Sequence, residues 1–163
     1  MMKTLNKPKI NIKSLDSGVS KRFKKGKYWI GDMCYIYPDE CWSDYVSEAF
    51  KGTDGRGKDI AGAVLNYNKK YDIFTCQTAY GDGSYPLTKN GENLADLGVD
   101  AGFLALIPLE LARSWPQWEE NKGLGHIVEC KEDFEIEVFG EKVRPGNWRF
   151  LDYEVTTDGS GED

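Results

Sequence analysis

The chain has a single histidine, His126, and four cysteines, Cys34, Cys41, Cys76 and Cys130, with no Cys-x-x-Cys pair among them. The spacing of a zinc site is therefore missing. No Gly-x-Ser-x-Gly elbow occurs, which leaves serine-hydrolase chemistry without its nucleophile. No Gly-Lys-Ser/Thr follows the glycine-rich Gly52-Thr53-Asp54-Gly55-Arg56-Gly57-Lys58 stretch, so it reads as a surface loop and not a phosphate cradle. Cys34 has no base beside it in sequence and reads as a small buried hydrophobe. Asp158-Gly159-Ser160-Gly161-Glu162-Asp163 has the opening of a calcium loop but not its remaining ligands. No apolar run approaches the length that spans a bilayer, and the Met-Met-Lys start carries no signal-peptide core. These absences imply a cytoplasmic protein with reduced thiols.

What is present is charge and aromatic mass. The 163 residues carry a net charge of −6, unevenly spread. Residues 1–27 hold nine Lys or Arg against one acid, a net of +8, and the rest holds twelve against twenty-six, a net of −14. An acidic body disfavours non-specific nucleic-acid binding, while the basic segment suits phosphates, an acidic partner or the body's own surface. Five Trp, nine Tyr and seven Phe supply a core, and each buried indole N–H calls for an acceptor.

The pattern divides into a basic arm over 1–26, one domain over 27–157 and an acidic, disordered tail over 158–163. A short edge strand is expected near Lys9–Lys13, and a strand over 27–37 kinked at Gly31-Asp32. Pro38 opens a helix whose apolar face is Cys41, Trp42, Tyr45, Val46, Ala49 and Phe50. Ile60–Tyr67 and Tyr71–Ala79 read as a strand pair, and Tyr85–Thr88 with Asn90-Gly91 as a strand and hairpin turn. Val99–Ile107 reads as a central strand opening at Asp100. A second helix starts at Pro108 and is interrupted at Pro116. His126–Cys130, Asp133–Phe139 and Trp148–Thr157 complete about seven or eight strands. The fold class is α+β: one curved antiparallel sheet, as a small sandwich or open barrel, with two short helices.

Three aspartates are the leading site candidates. Asp32 interrupts an apolar run, Asp82 sits between Gly81 and Gly83, and Asp100 borders the most apolar strand. A carboxylate beside a core is hydrogen-bonded, paired, metal-bound or protonated. Converging, the three make a hard-oxygen site for Mg²⁺, Mn²⁺ or Ca²⁺ that activates water or orients a phosphate. Separately, each satisfies backbone amides and pins loops together. Binding candidates are Tyr35, Tyr80, Gly81, Gly83, Tyr85, Trp115 and Trp118; the tryptophans with Tyr35 and Tyr37 form either an exposed platform or part of the core.

Tyr28-Trp29-Ile30-Gly31-Asp32-Met33-Cys34-Tyr35-Ile36, Tyr80-Gly81-Asp82-Gly83-Ser84-Tyr85-Pro86 and Val99-Asp100-Ala101-Gly102 together resemble segments of a loose group of small bacterial and bacteriophage proteins of uncharacterised activity, with Met33 where that group typically has proline. The resemblance implies a β-rich fold and a viral or mobile-element source, and it carries no activity. The expectation for function is a non-enzymatic accessory protein that binds a host or viral protein, as an anti-defence or host-takeover factor. Two alternatives stand beside it: a metal-dependent hydrolase or binder of a phosphorylated small molecule, and a component of a virus particle whose basic arm orders on assembly.

Overall fold

The computed structural model describes residues 10–15, 18–38, 62–100, 102–140 and 146–158. The helix expected beyond Pro38, the glycine-rich 52–58 loop and the tail from residue 159 lie outside these residues. Two six-stranded antiparallel sheets pack face to face as a sandwich, not a barrel. Sheet A has the order β1(Ile10–Leu15)-β4(Gly62–Tyr67)-β5(Tyr71–Gln77)-β8(Phe103–Pro108)-β3(Gly26–Asp32)-β9(His126–Cys130). Sheet B has the order β2(Gly18–Val19)-β10(Glu137–Phe139)-β11(Asn147–Phe150)-β12(Tyr153–Val155)-β6(Gly83–Lys89)-β7(Glu92–Val99). Two short helices, α1(Leu109–Ala112) and α2(Trp118–Asn121), lie on the far side of sheet A.

The strand period of two explains this layering. In sheet A, Ile30, Phe74, Cys76, Leu104 and Leu106 face sheet B, while Trp29, Leu65, Ile73, Ala105 and Ile107 face the helices. Both faces are buried, so β8 reads as continuously apolar although every pairing is antiparallel. Among the described residues sheet B is covered on one face only, and its strands tend to alternate accordingly. Between the sheets, the Trp148 ring lies 4.8 Å from Phe74 and 5.7 Å from Phe150. Its indole N–H has no acceptor among the described residues. The aromatic packing outweighs the cost of that unpaired group. Trp29 does find an acceptor, the carbonyl of Lys122 at 2.9 Å.

Several boundaries differ from those expected. The basic segment enters the fold at Ile10: β1 pairs with β4 over its whole length, and buried Phe23 stacks on Phe134 at 5.6 Å. Apolar burial recruits this stretch despite its charge. The strand expected to run through Tyr37 ends at Asp32, because the Asp32 side chain accepts from the Cys34 amide and caps a 3-10 turn over Met33–Tyr35. Val99 and Phe103 belong to different sheets, joined by a turn in which Gly102 has φ +86°. Between them the chain crosses from sheet B to sheet A, so Asp100 lies in a crossover and not at the head of a strand. The Asn90-Gly91 turn is a hairpin with φ +52° and +84°, and its second arm is β7, a strand of residues with little strand preference. Only Glu137–Phe139 of the expected Asp133–Phe139 strand is regular, since the Ser20 hydroxyl accepts from the Ile136 amide in place of a ladder carbonyl. Asp158 is buried, with its amide donating to Asn147, so the fold extends one residue beyond Thr157. No helix among the described residues is long and apolar enough to cross a membrane.

Trp29 is seated against two glycines. A Cβ on Gly31 would stand 2.6 Å from the indole, and one on Gly125 would collide with both the indole and the Ile30 carbonyl. Gly125→Ala is therefore expected to destabilise the fold by about 1–3 kcal/mol, the usual cost of overpacking, read as a lowered midpoint in urea at unchanged slope.

Candidate functional site

The structure brings two of the three aspartates together. Asp32 is fully buried at the end of β3, and its two oxygens accept from separate backbone amides: Cys34 at 3.0 Å and Asp100 at 2.7 Å. The Asp100 carboxylate accepts from the Tyr35 hydroxyl at 3.1 Å. The chain continues this network through Thr78, whose amide donates to the Gly102 carbonyl and whose hydroxyl both donates to and accepts from Gly81. Tyr85 donates its hydroxyl to the Gly81 carbonyl at 2.9 Å. Asp82 itself is exposed, as are Gly83 and Tyr80. Of the residues singled out from the sequence, Asp32, Asp100, Tyr35, Gly81 and Tyr85 thus build, with Thr78, a latch joining β3, β5 and β8 of sheet A to β6 and β7 of sheet B. Among the described residues, no group of three His, Cys, Asp or Glu is placed to hold a metal ion.

Trp115 and Trp118 do not form an exposed platform. Both are buried under sheet A, Trp115 with its ring 5.4 Å from Tyr37 and Trp118 6.4 Å from Trp29. The thiols of Cys76 and Cys130 are buried, and burial pushes both upward, Cys130 to about 12 with the Glu129 charge adding to the effect. Neither ionises as a nucleophile near neutral pH.

The open concavity lies at the other end of sheet A. Tyr28 stands opposite Pro108, and Phe74 opposite Leu106, so the start of β3, the end of β8 and the start of β5 share one end of the sheet. Leu109 to Arg113 leave that end in α1. Together these segments enclose a cleft of about 470 Å³. Its floor is aromatic, from Phe23, Tyr28 and Tyr71. The Tyr28 hydroxyl donates to the Lys24 carbonyl at 2.7 Å, which fixes the wall carrying the lysines. Burial is the main cause that pushes the Tyr28 hydroxyl far above its ordinary range.

The rim of this cleft is cationic. Lys24, Lys25, Lys27, Lys70 and Arg113 are exposed around it, against Glu110 and Asp72. Asp72 is already answered by Lys21 at 2.8 Å and by the Asn66 amide at 3.0 Å. None of the five rim cations forms an ion pair among the described residues. Lys70 lies 5.3 Å over the Tyr71 ring, within cation–π range. The sequence signalled half of this rim in its basic run, Lys21 to Lys27. Lys70, Tyr71 and Arg113 carry no such signal, since only the strand register unites them with that run.

Two outcomes follow from the latch. Asp32→Ala leaves two amides without their acceptor and is expected to cost about 2–5 kcal/mol in urea denaturation, while exposed Asp82→Asn stays within about 0.5 kcal/mol. The second concerns pH. The Cys76 and Cys130 thiols are raised from 9.0, and the Tyr35 hydroxyl is raised from 10.0 to about 12, by burial first and by Asp100 next. Each group binds its proton more tightly folded than unfolded. The stability they contribute is intact below about pH 9 and falls as pH rises through 9 to 12. Tyr35→Phe removes the part that falls between pH 10 and 12, measured as Tm against pH.

No family model, curated protein or solved structure matches the chain.

Proposed function

We infer that the chain is a non-catalytic binding protein that takes an acidic segment of a partner protein into its basic cleft. One observation carries this reading: five cations that form no ion pair among the described residues ring an aromatic-floored cavity on a chain of net charge −6. Gathering like charges on one rim raises the energy of the free protein, and an anionic ligand relieves it. The arrangement also steers encounter, since a cationic cleft on an acidic body attracts carboxylates to one place.

The remaining surface narrows the ligand. A long polyanion such as duplex nucleic acid also meets the acidic surroundings, where repulsion opposes it. A short acidic stretch of polypeptide fits within the cleft and avoids them. The resemblance to small bacterial and bacteriophage proteins agrees with a host or viral protein as that partner. Two groups considered for catalysis have structural work instead: Asp32 holds two backbone amides, and the Cys76 thiol is sealed in the core.

A fluorescent octaglutamate peptide tests the reading. The wild type is expected to bind it at low ionic strength and to lose affinity as salt rises, with octalysine showing no binding. Lys24→Glu combined with Arg113→Glu changes two exposed side chains and is expected to weaken binding by about tenfold or more while Tm holds. Equal affinity of wild type and double variant, or none in either, overturns it.

A further inference from the structure

The basic cleft has a neighbour. A second cavity, of about 390 Å³, opens between β1 and β2, the strands that edge the two sheets on one side of the sandwich. Because β2 is only two residues long, sheet B does not reach over the inner face of β1 and β4 here. Leu15, Val19 and Val64 give this cavity apolar walls, and Lys13 and Lys21 stand at its rim. Val19 is 56% exposed, an aliphatic side chain left without cover.

Asp72 lines both cavities, and the Lys21–Asp72 pair is the divide between them. The pair consumes the cation at that point, whereas Lys24, Lys27 and Arg113 beyond it form no ion pair among the described residues. Anionic groups therefore belong in the cleft and uncharged ones in the second cavity. In addition, β1 is paired on one side only among the described residues, so its outer edge presents backbone donors and acceptors to an extended chain.

We propose that the two cavities form one groove, and that its occupant is an extended segment of a partner protein carrying carboxylates beside an aliphatic side chain. The carboxylates meet Lys24, Lys27 and Arg113, and the aliphatic group covers Val19, Leu15 and Val64. Charge complementarity holds in the cleft, at Lys24, Lys27 and Arg113, and the apolar walls of the second cavity add a requirement that a uniform polyanion does not meet. This rests on the reading of the cleft as an acid-segment site and adds the second half of the recognition.

The test walks a single leucine along octaglutamate and measures each peptide against the full chain by fluorescence anisotropy. One or two leucine positions are expected to bind about fivefold tighter than octaglutamate itself, the effect of partly burying one aliphatic side chain. Val19→Ser is expected to abolish that gain and leave octaglutamate affinity unchanged, whereas the Lys24→Glu, Arg113→Glu pair weakens every peptide. If octaglutamate binds but no leucine position improves it, or if Val19→Ser keeps the gain, the groove is wrong and the cleft alone remains. If octaglutamate does not bind, the cleft reading falls and this one with it. An octathymidylate that binds more tightly than every peptide at equal ionic strength makes the occupant a single-stranded nucleic acid and overturns the proposal.

Discussion

The fold hangs on the Asp32 carboxylate. Apolar burial drives the two sheets together, but it is non-directional and does not by itself fix how one sheet lies on the other. Asp32 supplies the direction. One oxygen ends β3 and caps the Met33–Tyr35 turn, which lays Met33, Ile36 and Tyr37 against the helix-side face of sheet A. The other holds the Asp100 amide in the crossover from β7 to β8. One buried side chain thereby determines where a strand stops, which face the following residues cover and where the chain changes sheets. Hydrogen bonds to a charged acceptor are among the stronger polar contacts a core can hold, which makes this a fitting place to spend a carboxylate.

The same end of the sandwich collects the remaining directional bonds. Thr78 holds Gly81 and Gly102, and the Thr157 hydroxyl accepts from the Ala79 amide while donating to the Gly146 carbonyl. Asn147 accepts from the amides of Thr157 and Asp158. Threonine and asparagine here do the work of ladder partners where the strands run out, so backbone groups buried at the sheet ends are not left unpaired. The core between the sheets needs no such help, because its large rings interlock and tolerate even the unpaired indole of Trp148.

Much of the fold was legible because it rests on local rules. Strand-forming residues around the polar turn Asn66 to Lys70 mark β4 and β5, Asn90-Gly91 marks the hairpin, and Pro108 marks the start of α1. Asp32 and Asp100 were legible as latch members because a charge beside an apolar run demands a partner, whereas Asp82, between two glycines, stands exposed. What the sequence concealed was non-local. Val99 to Ile107 is one apolar stretch, and nothing in its composition says that it changes sheets midway. The run Glu92–Val99 looks unlike a strand, and its pairing with β6 overrides its weak propensity. The basic segment reads as a solvated arm because charge dominates it, yet Ile12, Leu15 and Phe23 pack on the cores and β1 pairs with β4. The cleft was concealed for the same reason. Its cations come from β3 and the segment before it, from the β4–β5 turn and from α1, and only antiparallel register makes them neighbours.

The two ends of β3 divide the labour. Asp32 and Lys27 stand towards opposite ends of the seven-residue β3, about 17 Å apart along the strand. At the latch, polar groups find partners within the fold, and what they gain is rigidity. At the cleft the backbone is fixed as well, by the Tyr28–Lys24 bond and the buried floor, but the five cations form no ion pair among the described residues. A binding site gains from that combination: a rigid floor limits the conformational cost of association, and free cations need no internal ion pair to be broken before they meet a ligand. Lys21 is the exception, already held by Asp72, and it stands where the groove turns from polar to apolar. On the proposed reading, neutralising Lys21 there makes the aliphatic half the less favourable place for a carboxylate, which would turn general attraction for anions into a demand for order along the bound segment.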